Sequence, residues 1–196
     1  MALVIRPVEL EVASRFREVP MSFQVRSVWV PRATADPGIL LDESPCPTPY
    51  TKDYDADVHE DDHPENWRKR WDTSHWSMLA AFDGERLVGW SVVATRTPGL
   101  HMLEGREDLA VLWDLRVHPD QRRCGVGTQL FDGAVQVARE RGCRRLKIET
   151  QNTNVVACRL YAARGCRLGG IVPGAHAYPP HLHHETMLLW YLDLRA

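Results

Sequence analysis

Between residues 110 and 165 the apolar pattern changes period three times, and this constrains the fold more than any other feature of the chain. Ala110 to Val117 and Leu146 to Thr150 are apolar runs of strand length. About Gly125 to Arg141 and about Val155 to Arg164 instead repeat their apolar residues at helical spacing. Gly142 and Gly165 stand where a helix ends on a left-handed residue. Two consecutive strands joined through one helix run parallel, because a tight turn cannot reverse such a connection. The stretch therefore predicts a β-α-β unit within an α/β (α+β) fold.

The first half reads differently. Leu3 to Val8 predicts a short strand broken by Pro7, and Val8, Val12 and Phe16 give the next residues helical spacing. Ser22 to Val30 predicts another strand. From Pro31 to Pro64 the chain reads as loop, since Pro37-Gly38, Pro45, Pro47 and Pro49 interrupt long regular elements. This segment also carries Asp53, Asp55, Asp57, Glu60, Asp61 and Asp62. Trp67 and Trp71 then share one face of a helical turn. Trp76 to Phe82 and Arg86 to Thr95 flank Asp83-Gly84, a strong hairpin signal. Met187 to Leu194 predicts a final buried strand.

At 196 residues with 44% hydrophobic residues, the chain predicts a single domain over 1–196 with one sizeable core. A formal charge of -2, with both signs interspersed, gives no attraction for nucleic acid or an anionic membrane. No apolar run approaches the roughly 20 residues that cross a bilayer, and a cytoplasmic location is expected. The five cysteines form no C-x-x-C pair and are expected to be free packing thiols.

Arg122-Arg123-Cys124-Gly125-Val126-Gly127-Thr128 lies between the first of these parallel strands and the long helix. Small residues let a ligand approach the backbone, while the N–H groups of a first helical turn favour an anion. Arg122 and Arg123 add positive charge, which points to a diphosphate. The alternative is that the glycines serve only the geometry of the turn. A Walker-type loop would need a lysine before Thr128, and a dinucleotide fingerprint a third glycine or alanine near Leu130.

Leu115-Arg116-Val117-His118-Pro119, followed by Arg122-x-x-Gly125-x-Gly127, resembles motif A of the GNAT acetyltransferase superfamily. Ile148 to Asn154, Ala157-Cys158-Arg159-Leu160-Tyr161 and Arg164-Gly165-Cys166 resemble its motif B. The Glu149-Thr150-Gln151-Asn152 run, the Ala157-Cys158 pair and the segment from Glu185 to Tyr191 look most like streptothricin-type acetyltransferases. The resemblance implies a single GNAT-like domain with a mixed, twisted central sheet splayed between two parallel strands and helices on both faces. It also implies a cofactor core over about 109–168 and a substrate side over about 20–75. Acetyl-coenzyme A would be the co-substrate, without a metal. Its pantetheine arm would pair with the backbone of Leu115, Arg116 and Val117, and its diphosphate would sit on Arg122, Arg123, Cys124, Gly125, Val126, Gly127 and Thr128.

Acetyl transfer to an amine poses two proton problems. A lysine-like amine has a pKa of about 10.4 and must lose a proton before attack, and the leaving thiolate must gain one. Glu149 is a base candidate, because its separation from Asn154 and Tyr161 resembles that in ribosomal-protein alanine acetyltransferases. Asp114 is a second candidate by resemblance to polyamine acetyltransferases, which have another acid where this chain has Trp113. Tyr161 occupies the superfamily's general-acid position, and Asn154 is expected to cap its helix and to bond the cofactor arm. A strand-end glutamate that faces solvent or pairs with Arg144 or Lys147, and a core tyrosine, are the plain alternatives.

The acceptor is expected to be a primary amine of a small molecule, such as a streptothricin-like antibiotic, with a peptide N-terminus or a non-catalytic acyl-coenzyme A module as alternatives. The acids from Asp53 to Glu65, with Trp67 and Trp71 behind them, would suit a cation, the alternative being a solvated acidic loop. His181-Leu182-His183-His184 lacks the ligand spacing of a zinc site and reads as a surface loop. The Trp-rich surface and apolar last strand are candidates for homodimer contacts.

Overall fold

The computed structural model describes residues 3–33, 39–57, 59–175 and 185–194. In chain order the strands are β1 (Leu3–Val8), β2 (Ser22–Ala33), β3 (Ile39–Asp53), β4 (Ser77–Asp83), β5 (Arg86–Ala94), β6 (Leu109–Val117), β7 (Arg145–Gln151), β8 (Arg167–Pro173) and β9 (Thr186–Asp193). The α-helices are α1 (Tyr54–Asp57), α2 (Trp67–Arg70), α3 (Val126–Glu140) and α4 (Val155–Ala163). Two compact units result, one from the residues up to 21, 53–147 and from 193 on, the other from 22–52 and 148–192. β7 begins in the first and ends in the second.

In the first unit β1, β4, β5 and β6 lie side by side in that order, each antiparallel to the next. β7 follows β6 and runs parallel to it, as a connection through α3 requires, so the sheet is mixed. The predicted hairpin joins β4 to β5, with Gly84 at φ 62° in its two-residue turn. Val126 and Leu130 of α3 pack on Ala81 and Val88, and Leu115 and Val117 lie against this cluster. The opposite sheet face buries Trp90, Val92 and Val111 against Ala13, Phe16, Trp67 and Trp76. Residues 10–18, expected as an α-helix from Val8, form a 3-10 helix that still buries Ala13 and Phe16.

Gly89 is where α3 and β6 close on β5. A Cβ there would lie 2.8 Å from the Arg116 carbonyl oxygen and 3.1 Å from Leu130 Cδ1, and the first contact is backbone that cannot swing away. Gly89→Ala is expected to cost about 1–3 kcal/mol of stability through overpacking. Urea denaturation checks this: a midpoint equal to the parent's would contradict the close approach.

In the second unit β7, β9 and β8 are neighbours in that order, and β2 pairs with β3 in a separate two-stranded ribbon. β3 corrects the loop expected over residues 31–64. Pro45, Pro47 and Pro49 alternate, so all three lack an N–H on the same edge of the strand. A two-stranded ribbon leaves one edge of β3 unpaired, where prolines cost no ladder bond. Pro37 and Gly38 lie outside the described residues. β8 was not foreseen, because Gly169-Gly170 weakens its strand pattern. The pairing skips Gly169, and the Tyr191 ring lies so close that a Cβ there would meet it at 2.6 Å.

Candidate active site

The chain leaves β6 at Val117 and turns into α3 through two left-handed residues, Arg123 at φ 63° and Gly125 at φ 83°. Gly125 is the N-cap and offers no side chain. Val126, Gly127 and Thr128 therefore present N–H groups that have no acceptor within the helix. Gln129 N–H is the first to bond back, donating to the Gly125 carbonyl at 3.1 Å. Arg123, Cys124 and Gly125 are exposed, while Arg122 is half-buried. Arg122 donates through Nε to the Val117 carbonyl at 3.0 Å and through Nη2 to the Pro20 carbonyl at 3.2 Å. Burial draws its pKa below the usual arginine value. Arg122 thus braces the turn, and Arg123 is the more accessible charge.

β6 carries a bulge, because Asp114 pairs with Val92 while Leu112 pairs with Val93, leaving Trp113 as the extra residue. Beyond it Asp114 and Arg116 face the buried side that holds Trp90, whereas Leu115 and Val117 face α3. Asp114 Oδ1 accepts from Trp90 Nε1 at 2.9 Å and from Arg116 Nε at 3.1 Å, and Oδ2 accepts from Arg116 Nη2 at 2.7 Å. Arg116 Nη1 reaches both oxygens of Asp55, at 3.0 and 3.2 Å. Its guanidinium also lies 4.8 Å from the centre of the Trp90 ring. Burial alone would lower the Arg116 pKa, but the two carboxylates outweigh it and raise it. Asp114 is held as an ion-pair partner through both oxygens.

In the second unit Glu149 is half-buried on β7, and Thr150, Gln151, Asn152 and Thr153 behind it are all buried. Asn152 satisfies every one of its polar groups. Its backbone accepts from Trp29 N at 2.9 Å and donates to the Thr186 carbonyl at 2.9 Å. Its side chain donates to the Trp29 carbonyl at 3.0 Å and accepts from Thr186 N at 2.9 Å. Asn154 caps α4, with Oδ1 accepting from Ala157 N at 3.1 Å. Tyr161, two turns along α4, is 6% exposed, its ring 6.4 Å from that of Trp190. Burial pushes the Cys158 and Cys166 thiols up to about 12, so both stay protonated at neutral pH and neither supplies a thiolate.

The acidic segment is largely committed to contacts of its own. Asp55 holds Arg116, Asp62 pairs with Arg70, and Asp61 lies 3.3 Å from His59. Arg70 also stacks on Trp71 at 5.1 Å, occupying an indole offered for a substrate cation. Trp67, Trp71 and Trp76 instead converge on Trp113, with ring centres 5.3–6.3 Å from it. His181, His183 and His184 lie outside the described residues. Among the described residues no three metal-binding side chains cluster, and no helix is long and apolar enough to cross a membrane. Sequence reasoning missed the roles of Asn152, Lys52 and Glu185. Asn152 lay inside a motif already singled out, but its partners are far away in the chain.

Comparison with known proteins gives consistent results. Residues 40–166 match the acetyltransferase (GNAT) family. A streptothricin acetyltransferase of Escherichia coli is 31% identical over 144 residues, covering 74% of this chain and 71% of that protein. The crystal structure of nourseothricin acetyltransferase superposes with a TM-score of 0.73 at 25% identity over the full length of both chains. A structure described as a Bacillus anthracis streptothricin acetyltransferase in complex with acetyl coenzyme A shares the fold, with a TM-score of 0.77 at 24% identity. That superposition covers 98% of this chain and 99% of the other.

Proposed function

Since the chain belongs to the acetyltransferase (GNAT) family, and is thereby an acetyl-coenzyme A-dependent N-acetyltransferase, we propose that it acetylates a primary amine of a small, streptothricin-like molecule. Glu149 takes the proton from the amine, directly or through a water, and Tyr161 gives a proton to the departing sulfur. The amine nitrogen bonds to the acetyl carbon as the carbon–sulfur bond breaks, leaving an acetamide and coenzyme A. The observation that carries the assignment is the junction from Thr150 to Asn154, buried as far as Thr153. It runs from the strand bearing Glu149 to the helix bearing Tyr161 and fixes both in one unit. Asp114 is the weaker base candidate because Trp90 and Arg116 occupy its oxygens.

The turn at 122–128 fits the diphosphate of acetyl-coenzyme A. Val126, Gly127 and Thr128 offer N–H groups at the positive end of a fifteen-residue helix, and exposed Arg123 adds charge. Leu115 to Val117 would supply the backbone edge for the pantetheine arm. The N-terminal part over about 20–75 is assigned to the acceptor.

A mass-resolved screen of amine acceptors tests the proposal. A β-lysine amide of the streptothricin kind is expected to gain one acetyl group and release one equivalent of thiol. Acetylation confined to peptide N-termini would overturn the acceptor assignment, and coenzyme A binding without any acetylation would leave a non-catalytic module.

A further inference from the structure

Glu185 is fully buried and Lys52 is 2% exposed, yet neither belongs to the acid/base pair. The Lys52 ammonium lies 3.0 Å from Glu185 Oε2 but off the direction of a hydrogen bond, so the contact is one of charge. Tyr50 donates its hydroxyl to Oε1 at 3.3 Å, and Thr153 donates to the same oxygen at 3.4 Å. Tyr50 and Lys52 are two residues apart on β3 and so share a face. One carboxylate therefore gathers β3, the turn between β7 and α4, and the start of β9, all within the second unit.

Stability alone is a poor reason for such a pair. Desolvating two charges opposes folding, and an apolar pair of similar volume is often neutral or stabilising in its place. What the pair supplies is placement. Thr153 lies between Asn152, whose polar groups are all satisfied, and Asn154, which caps the helix of Tyr161. Glu149 stands four residues before Thr153 and Tyr161 eight residues after it, so a shift of the turn moves one relative to the other. We propose that Glu185 and Lys52 are positioning residues that hold the β7–α4 turn and thereby set the separation of Glu149 from Tyr161. This rests on the assignment of that acid/base pair.

The test is the double variant Lys52→Met with Glu185→Leu, which removes both charges together, assayed for thermal midpoint, kcat and KM for acetyl-coenzyme A. The midpoint is expected at or above the parent's and KM within about twofold. kcat is expected to be at least about tenfold lower, the scale at which small misplacements of reacting groups act. A folded double variant with parental kcat overturns the proposal. Should it fail to fold, Thr153→Val removes only the hydroxyl contact. Lowered kcat with unmoved KM then supports the proposal, and an unchanged kcat refutes it. Tyr161→Phe measured alongside separates the two assignments. A slow Tyr161→Phe beside a fast double variant removes positioning alone, whereas a fast Tyr161→Phe removes the acid/base reading beneath it.

Discussion

Tyr161→Phe is expected to lower kcat by about 10²- to 10³-fold, the usual contribution of a positioned proton donor, with KM for acetyl-coenzyme A within about threefold. The variant keeps the ring beside Trp190 and deletes one oxygen, so packing is spared while the proton source is lost. With a more acidic leaving thiol the deficit should shrink, because such a group departs without help. Stopped-flow measurement of thiol release checks both expectations. A phenylalanine variant that turns over at the parental rate would show Tyr161 to be a core tyrosine and nothing more.

Gly125→Glu is expected to raise KM for acetyl-coenzyme A by more than about 100-fold, since it sets a carboxylate where the diphosphate is proposed to bind. The fold should survive. Gly125 has φ 83°, which strains any other residue by about 1–2 kcal/mol, but a Cβ there meets nothing closer than Gln129 Nε2 at 4.0 Å. A negative charge at a helix N-terminus offsets part of that strain. Gly125→Asn separates the two effects, because asparagine tolerates the left-handed conformation without adding charge. Its KM should remain near the parent's. Steady-state kinetics at varied acetyl-coenzyme A decide the matter, and equal losses in both variants would point to backbone geometry alone.

The parts of the fold legible from sequence were those set by neighbours in the chain. Gly142 and Gly165 mark helix ends because a left-handed residue is a local requirement, and both take it, at φ 77° and 83°. Asp83-Gly84 marks a hairpin for the same reason. The left-handed turn into α3 and the cap at Asn154 were also legible, each being built within a few residues. β3 was not, because whether a proline interrupts a strand depends on which edge its missing N–H faces, and the partner strand decides that. The bracing of Val117 and Pro20 by Arg122 was not legible either, since Pro20 lies 102 positions away. Lys52 and Glu185 are separated by most of the chain, and only the folded second unit brings an ammonium to that carboxylate. Asp114 likewise looked available because nothing in the local pattern revealed that Trp90, 24 residues earlier, donates to it.

Amide chemical shifts during titration with coenzyme A test the central claim most directly. The N–H resonances of Val126, Gly127 and Thr128 should move downfield together and saturate at one equivalent, as backbone donors do when they meet a diphosphate. Saturable binding that leaves these three resonances in place, or no binding at all, would contradict it.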